Sequence, residues 1–189
     1  MKKFLIGLLV LVVVLAAGSY LLPGHFEVSR SIVIAAESSR VESDLADLET
    51  WPEWSAWTKE KDPSVSWSFS GEKGQGQVWE WTGEKLGNGK MRLDKVTPGK
   101  GITYGISFKD PDMKGDGQIS IAPAGEAIEV TWVSRGQLGK NPIFRYMGLF
   151  MDGMLGPDLE LGLEGLKARA EEPAAAAPAE SSEGEAEEG

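Results

Sequence analysis

Between residues 64 and 133, apolar and polar residues alternate with a period of two in six successive short segments. Trp79 and Trp81, for example, share one parity, while their neighbours occupy the other. Turn signals such as Gly87-Asn88-Gly89 and Pro98-Gly99 separate the segments. Short connections join antiparallel strands, and strict alternation is typical of a sheet with one buried face and one solvated face. The pattern therefore predicts a curved antiparallel sheet.

A further strand and a short helical pattern precede this region, and a long helical pattern follows it. Residues 26–34 read as a further, first strand, and a short helix follows it and ends near Glu49, before Pro52. After Asn141-Pro142 the spacing of apolar residues becomes helical, at i, i+3, i+4 and i+7 from Met147, and it continues to about Ala170. This order predicts an α+β fold of about seven strands, in which a long C-terminal helix covers the apolar face of the sheet.

The N-terminal apolar run, Phe4–Leu22, is long enough to span the hydrocarbon core of a bilayer. Lys2 and Lys3 precede it, and positive flanking residues favour the cytoplasmic side. The run is therefore predicted to be an uncleaved anchor, with the domain on the extracytoplasmic side. Two alternatives remain open: a signal peptide cleaved after Gly18, which would release a secreted domain, and a buried helix of the fold.

Composition divides the chain into three parts: an anchor or signal segment at 1–25, a domain at 26–170 and an acidic Ala/Pro/Glu tail at 171–189, which is expected to be disordered. The tail holds seven glutamates. Without them the formal net charge of −10 falls to −3, so a nucleic-acid partner is not expected. The chain has no cysteine and one histidine, His25, so we expect no disulfide, metal site or cofactor. The oligomeric state stays open.

Several short motifs carry a family resemblance: Trp51-Pro52-Glu53-Trp54, Gly74-x-Gly76-x-x-Trp79, Gly87-Asn88-Gly89-Lys90-Met91, Met113-Lys114-Gly115 and Val130-Thr131-Trp132. In this order and spacing they resemble the START-like SRPBCC superfamily, in particular its polyketide cyclase/dehydrase and lipid-transport branch. The resemblance implies a helix-grip fold with an apolar cavity between sheet and helix, and ligands such as lipids, quinones or polyketides. It supplies no universal catalytic residue.

Large aromatic side chains dominate the predicted inner face of the sheet, and methionines dominate the facing helix stripe. Aromatic-rich faces with few aliphatic side chains often line a site for a flat apolar ligand. The predicted cavity lining is Trp67, Phe69, Trp79, Trp81, Met91, Tyr104, Phe108, Trp132, Met147, Met151 and Met154. A filled core is the alternative for the same residues.

Catalytic groups are not evident. Glu80, Asp94 and Asp152 fall on solvated positions, and none is predicted to be a buried acid with a raised pKa. The glycine-rich segment 71–76 precedes a strand rather than a helix, so we expect a flexible loop, one that could gate a cavity, rather than a phosphate cradle. The sequence thus favours a membrane-tethered domain that binds a small hydrophobic molecule. A polyketide cyclase/dehydrase-type enzyme and a protein-interaction module with a filled core are the alternatives.

Overall fold

The computed structural model describes residues 1–109 and 114–172. The turn predicted at Asp110-Pro111-Asp112, the motif residue Met113 and all of the predicted tail beyond residue 172 lie outside the described part.

Seven strands form one antiparallel sheet in the spatial order β1-β7-β6-β5-β4-β3-β2. Every neighbouring pair is antiparallel, and a register irregularity between Leu93 and Lys95 interrupts the pairing of the fourth and fifth strands. The strands are β1 (His25–Ile34), β2 (Ser66–Ser70), β3 (Val78–Thr82), β4 (Asn88–Thr97), β5 (Gly101–Phe108), β6 (Lys114–Ala124) and β7 (Ala127–Gln137).

Five helices complete the described fold: α1 (Lys2–Ser19), α2 (Ser38–Leu45), α3 (Trp51–Trp54), α4 (Pro142–Gly148) and α5 (Met151–Glu171). The apolar stripe Leu159, Leu163 and Leu166 of α5 is fully buried against the concave face of the sheet. The predicted α+β helix-grip fold is confirmed.

The C-terminal helical region differs in detail from its prediction. The helix is interrupted at Leu149 and Phe150, and α5 then begins at Met151 and continues through Pro157. Pro157 is exposed, so water can solvate the backbone carbonyl that loses its intrahelical donor. Glu171 still belongs to α5, and its carboxylate accepts a hydrogen bond from the Ala35 N–H at 2.8 Å. The folded region therefore includes the first residue of the predicted tail.

Tryptophans fill the centre of the concave face. Trp51 and Trp54 of α3 are buried, and their ring centroids lie 5.7 and 5.8 Å from that of Trp132 on β7. Trp57, just beyond α3, lies 6.1 Å from the same ring and 6.5 Å from Trp79. The Trp51–Trp57 segment therefore packs over the sheet.

Helix α1 is long and apolar enough to cross a bilayer, as judged by length and composition, and nearly all of its side chains are exposed. It contacts the rest of the chain near its C-terminal end. There the Tyr146 hydroxyl of α4 donates a hydrogen bond to the Leu15 carbonyl oxygen at 2.9 Å. The helix is thus not part of the core, and the buried-helix alternative is wrong.

Candidate functional site

A cavity of about 160 Å³ lies between one end of the sheet and the α4–α5 segment. Its sheet wall is formed by the C-terminal end of β5, the start of β6, the end of β7 and the start of β1. Most of its surface is apolar. The apolar side chains that line it are Phe26, Trp57, Ile106, Phe108, Leu138, Phe144, Met147, Met151 and Leu155.

Glycines shape the sheet wall of this cavity. Gly115 and Gly136 are directly opposed in the pairing of β6 with β7, so no side chain projects into the space there. Gly136 is also paired with Phe26 on β1, and a Cβ atom at Gly136 would overlap the Phe26 ring. The missing side chain allows the aromatic ring to lie flat across the neighbouring strand.

A third glycine, in the pairing of β5 with β6, positions Tyr104 on β5. Its strand partner is Gly117, and a Cβ atom there would overlap the tyrosine ring and hydroxyl. The Tyr104 hydroxyl accepts a hydrogen bond from Trp132 Nε1 at 2.8 Å. Tyr104 and Ser134 are the two hydroxyl-bearing residues of the cavity lining.

Burial strengthens the preference of Tyr104 for its protonated form. Loss of hydration raises the pKa of Tyr104 to about 12, and this outweighs the lowering by hydrogen bonds with Trp132 and Ser134. The phenol therefore stays protonated near neutral pH. Because the oxygen already accepts from Trp132, the hydroxyl proton is available for donation to an acceptor such as Ser134 or a ligand oxygen.

The cavity rim carries Lys114, Arg135 and Gln137. Arg135 Nε donates to Glu27 Oε2 at 2.6 Å, and its guanidinium also lies 3.6 Å from Asp116. The hydrogen bond with Glu27 raises the pKa of Arg135, so the guanidinium stays charged and paired. No Asp, Glu or His side chain lies among the cavity-lining residues of the described chain.

Four of the residues predicted to line a cavity do so in the structure: Tyr104, Phe108, Met147 and Met151. The others lie elsewhere. Trp79, Trp81, Met91 and Trp132 are buried in the packed core, Trp67 and Phe69 are half-buried on β2 against Trp79, and Met154 is exposed.

The reason for this difference is cross-strand packing in the half of the sheet formed by β2, β3 and β4. Trp79 is in ring contact with Trp57, Trp67, Phe69 and Trp81, so these side chains fill the space that was expected to be open. The structure thus places Trp79, Trp81, Met91 and Trp132 in the core, with Trp67 and Phe69 packed against it. A ligand-binding role for the remaining four stays a prediction.

Sequence reasoning missed several wall residues. Phe26 stands on the same parity as Val28 in β1, and Phe144 precedes Met147 by three residues on α4. Both signals are present in the sequence, but neither shows which parity or helix face meets open space. Ile106 and Leu155 were missed for the same reason.

The glycine-rich segment does not gate this cavity. None of residues 71–76 lines the cavity, and the Gly74 N–H donates to the Ala46 carbonyl and the Gly76 N–H to the Leu93 carbonyl, each at 2.8 Å. Gly74 and Gly76 have φ values of 98° and 93°, which favour glycine. Two of its backbone donors thus tie the segment to the fold.

The candidate carboxylates lie at the surface. Glu80 pairs with Lys90 at 3.0 Å, Asp94 with Arg92 at 2.6 Å, and Asp152 with Arg30 at 2.9 Å. Within residues 1–109 and 114–172, no three His, Asp or Glu side chains cluster in a way that could hold a metal ion.

Solved structures with the same fold include the truncated norcoclaurine synthase from Thalictrum flavum, with a TM-score of 0.60 and 13% identity, covering 79% of this chain and 96% of that one. A hypothetical protein from Helicobacter pylori has a TM-score of 0.57 and 10% identity, covering 76% and 87%. XoxI from Bacillus cereus has a TM-score of 0.56 and 15% identity, covering 77% and 95%. At these identities the likeness concerns the fold alone.

No curated protein sequence matches this chain significantly. A family model described as polyketide cyclase / dehydrase and lipid transport matches residues 25–171, from the first residue of β1 to the last residue of α5. The match covers the whole sheet and the helix that it wraps. The chain therefore belongs to the polyketide cyclase/dehydrase and lipid-transport family of the START-like SRPBCC superfamily.

Proposed function

We propose that this domain binds a small hydrophobic molecule in the cavity between sheet and helix, and that α1 holds the domain at a membrane. The observation that carries the proposal is an apolar cavity with a buried, protonated phenol, that of Tyr104, in its wall. Membership of a family that includes lipid-transport proteins supports the same class of ligand.

The size of the cavity limits what can enter it. Its volume of about 160 Å³ is close to that of an engineered ~150 Å³ apolar cavity that admits benzene, and smaller than typical ligand sites of ~300–1,000 Å³. We therefore expect it to accept a single ring or the end of an apolar chain. A larger lipid, quinone or polyketide would insert only part of its length unless the α4 wall moves.

The Tyr104 hydroxyl gives the site a polar preference. A protonated phenol in apolar surroundings donates a hydrogen bond to a carbonyl or hydroxyl oxygen. Ligands with one oxygen on an apolar ring are therefore expected to bind better than their hydrocarbon analogues. The cavity lacks a carboxylate or imidazole base among the described residues, so binding fits this site better than cyclase-type proton transfer.

A matched pair of probes tests this preference, acetophenone against ethylbenzene, which have similar shape but differ in the carbonyl oxygen. Calorimetric titration of the full chain in detergent should show saturable binding of both, with acetophenone the tighter. Tyr104→Phe should weaken acetophenone binding by about 2- to 12-fold, which corresponds to one hydrogen bond, and leave ethylbenzene binding nearly unchanged. Equal losses for both probes would contradict the assigned role of the hydroxyl.

A second variant tests whether the cavity is the site at all. Leu155→Trp places a larger side chain at the wall and should abolish binding of both probes. Leu161→Trp on the exposed face of α5 is the matched control and should bind them normally. If the folded wild-type protein binds neither probe, the hydrophobic-ligand proposal fails and a protein-interaction module is preferred.

Membrane attachment rests on α1. Its apolar side chains are almost all exposed, which is costly in water and favourable in lipid. Lys2 and Lys3 favour the cytoplasmic side for its N-terminal end, so the domain is proposed to lie on the extracytoplasmic side. Cleavage after Gly18 would instead release it.

A further inference from the structure

An exposed apolar patch lies on α4 and the residues that follow it. We call it the α4 face and define it as Ile143, Leu149, Phe150 and Met154, which are 67%, 59%, 66% and 58% exposed. Four large apolar side chains with this exposure within twelve residues indicate a surface that another apolar phase covers.

Helix α4 contacts the end of α1. The Tyr146 hydroxyl donates to the Leu15 carbonyl at 2.9 Å, and Arg145 Nη1 donates to the Leu22 carbonyl at 3.3 Å. The Arg145 guanidinium also lies 5.2 Å from the centre of the Tyr20 ring. Helix α4 therefore lies beside the last turn of α1 and the residues just after it.

The depth of α4 relative to a bilayer follows from its position beside α1. Leu15 lies four residues before the end of α1 at Ser19, which is about 6 Å along the helix axis. Interfacial helices bury their apolar face about 5–10 Å into the boundary between headgroups and acyl chains. With α1 across a bilayer, α4 must therefore lie at this boundary.

We propose that the α4 face is embedded in the leaflet surface of the bilayer that α1 crosses. This inference rests on the proposed membrane attachment and adds the orientation of the domain on the membrane. Arg145 lies in α4 and the exposed Lys140 lies just before it, where both can contact lipid phosphates.

The orientation places the cavity next to the lipid. Phe144 and Met147 project from α4 into the cavity, while Ile143 on the same helix is exposed. Helix α4 thus separates the cavity from the leaflet. It has no fully buried residue, and Gly139 just before it has a φ of 59°. An element with so little burial opens at low free-energy cost.

The absence of cysteine makes a direct test possible, because each introduced cysteine is unique. The full chain is reconstituted in phosphatidylcholine/phosphatidylglycerol vesicles, with a fluorescent nitrobenzoxadiazole label at one introduced cysteine. Ile143→Cys and Phe150→Cys probe the α4 face, and Val10→Cys probes α1. Val33→Cys and Leu161→Cys are matched controls, since both positions are exposed and apolar but lie away from α4.

Lipids with a nitroxide near the headgroup should quench the labels at 143 and 150 at least about twofold more than those at 33 and 161. The label at 10 should be quenched most by a nitroxide deep in the acyl chain. If the label at 10 is quenched but those at 143 and 150 match the controls, membrane docking of the α4 face is overturned while the anchor stands. If the label at 10 is not quenched, the anchor itself fails and the docking inference falls with it.

Discussion

A single carboxylate, that of Asp62, organises the loops beside β2 and β3. It is almost fully buried and accepts hydrogen bonds from the Ser64 hydroxyl at 2.6 Å and from the backbone N–H groups of Lys85 and Leu86 at 2.8 and 3.0 Å. The Ser64 hydrogen bond, followed by that from Leu86, lowers the pKa of Asp62 to about 2. Gly83 permits the close approach, since a Cβ atom there would overlap the carboxylate.

This lowered pKa predicts a pH dependence of stability. In the unfolded chain an aspartate protonates near pH 3.9, so between about pH 4 and pH 2 the unfolded state binds more protons than the folded one. The stabilisation by Asp62 is therefore present above about pH 4 and is lost as the pH falls toward 2. Asp62→Asn should lower the urea midpoint at pH 6, and its difference from wild type should shrink as the pH approaches 2.

Glu126→Gln, at an exposed turn between β6 and β7, is the control for this experiment and should leave the pH profile unchanged. If the urea midpoints of wild type and Asp62→Asn differ by the same amount from pH 6 to pH 2, the hydrogen bonds do not favour the charged form of Asp62.

At the scale of elements, glycines set how closely α5 approaches its neighbours. A Cβ atom at Gly165 would overlap the backbone carbonyl of Trp54, and one at Gly162 would overlap the Trp132 ring. Gly153, in the first turn of the same helix, has open space around it. Gly162 and Gly165 therefore allow α5 to approach β7 and α3 closely.

Gly165→Ala and Gly153→Ala form a matched pair on this helix. Gly153→Ala should raise the free energy of unfolding by about 0.5–1 kcal/mol, because alanine has the higher helix propensity. Gly165→Ala should lower it by about 1–3 kcal/mol, because the backbone of α3 must shift. Chemical denaturation of both variants measures the difference. A stabilising Gly165→Ala would mean that α3 and α5 are not in close contact.

The leucine stripe of α5 gives a second prediction at this scale. Leu166 is fully buried, so Leu166→Ala should lower the free energy of unfolding by about 2–5 kcal/mol. Leu161 is 56% exposed on the other face of α5. Leu161→Ala should therefore change the free energy of unfolding by less than about 0.5 kcal/mol. Equal denaturation midpoints for the two variants would be incompatible with α5 packing into the sheet.

At the scale of the whole molecule, the prediction concerns topology. With the N-terminal lysines in the cytoplasm, a cysteine at exposed Leu161 should react with a membrane-impermeant maleimide added to cells or spheroplasts with an intact inner membrane. A cysteine in place of Lys2 should react only after the membrane is permeabilised. The reverse labelling pattern would place the domain in the cytoplasm, whereas recovery of the Leu161→Cys domain in the soluble extracytoplasmic fraction would indicate signal cleavage.

The sequence was sufficient to predict the architecture. Alternation with a period of two assigned Trp79, Trp81 and Tyr104 to the inner face, and helical spacing assigned Leu163 and Leu166 to the helix that covers it. These are local properties, because the side-chain period of a strand or helix follows from its backbone geometry. The family resemblance gave the same fold, and the structure confirms it.

Only the tertiary structure decided which part of the inner face is open. Parity places Trp81 and Tyr104 on the same face of the sheet. The packing of Trp57 and Trp67 against Trp79 fills one half of that face. The opposed pair Gly115 and Gly136 leaves the other end unfilled. Likewise, residues 142–150 read as the start of a long helix, whereas α4 is a separate element beside α1. These outcomes depend on residues far apart in the chain, since a void forms where distant side chains fail to meet.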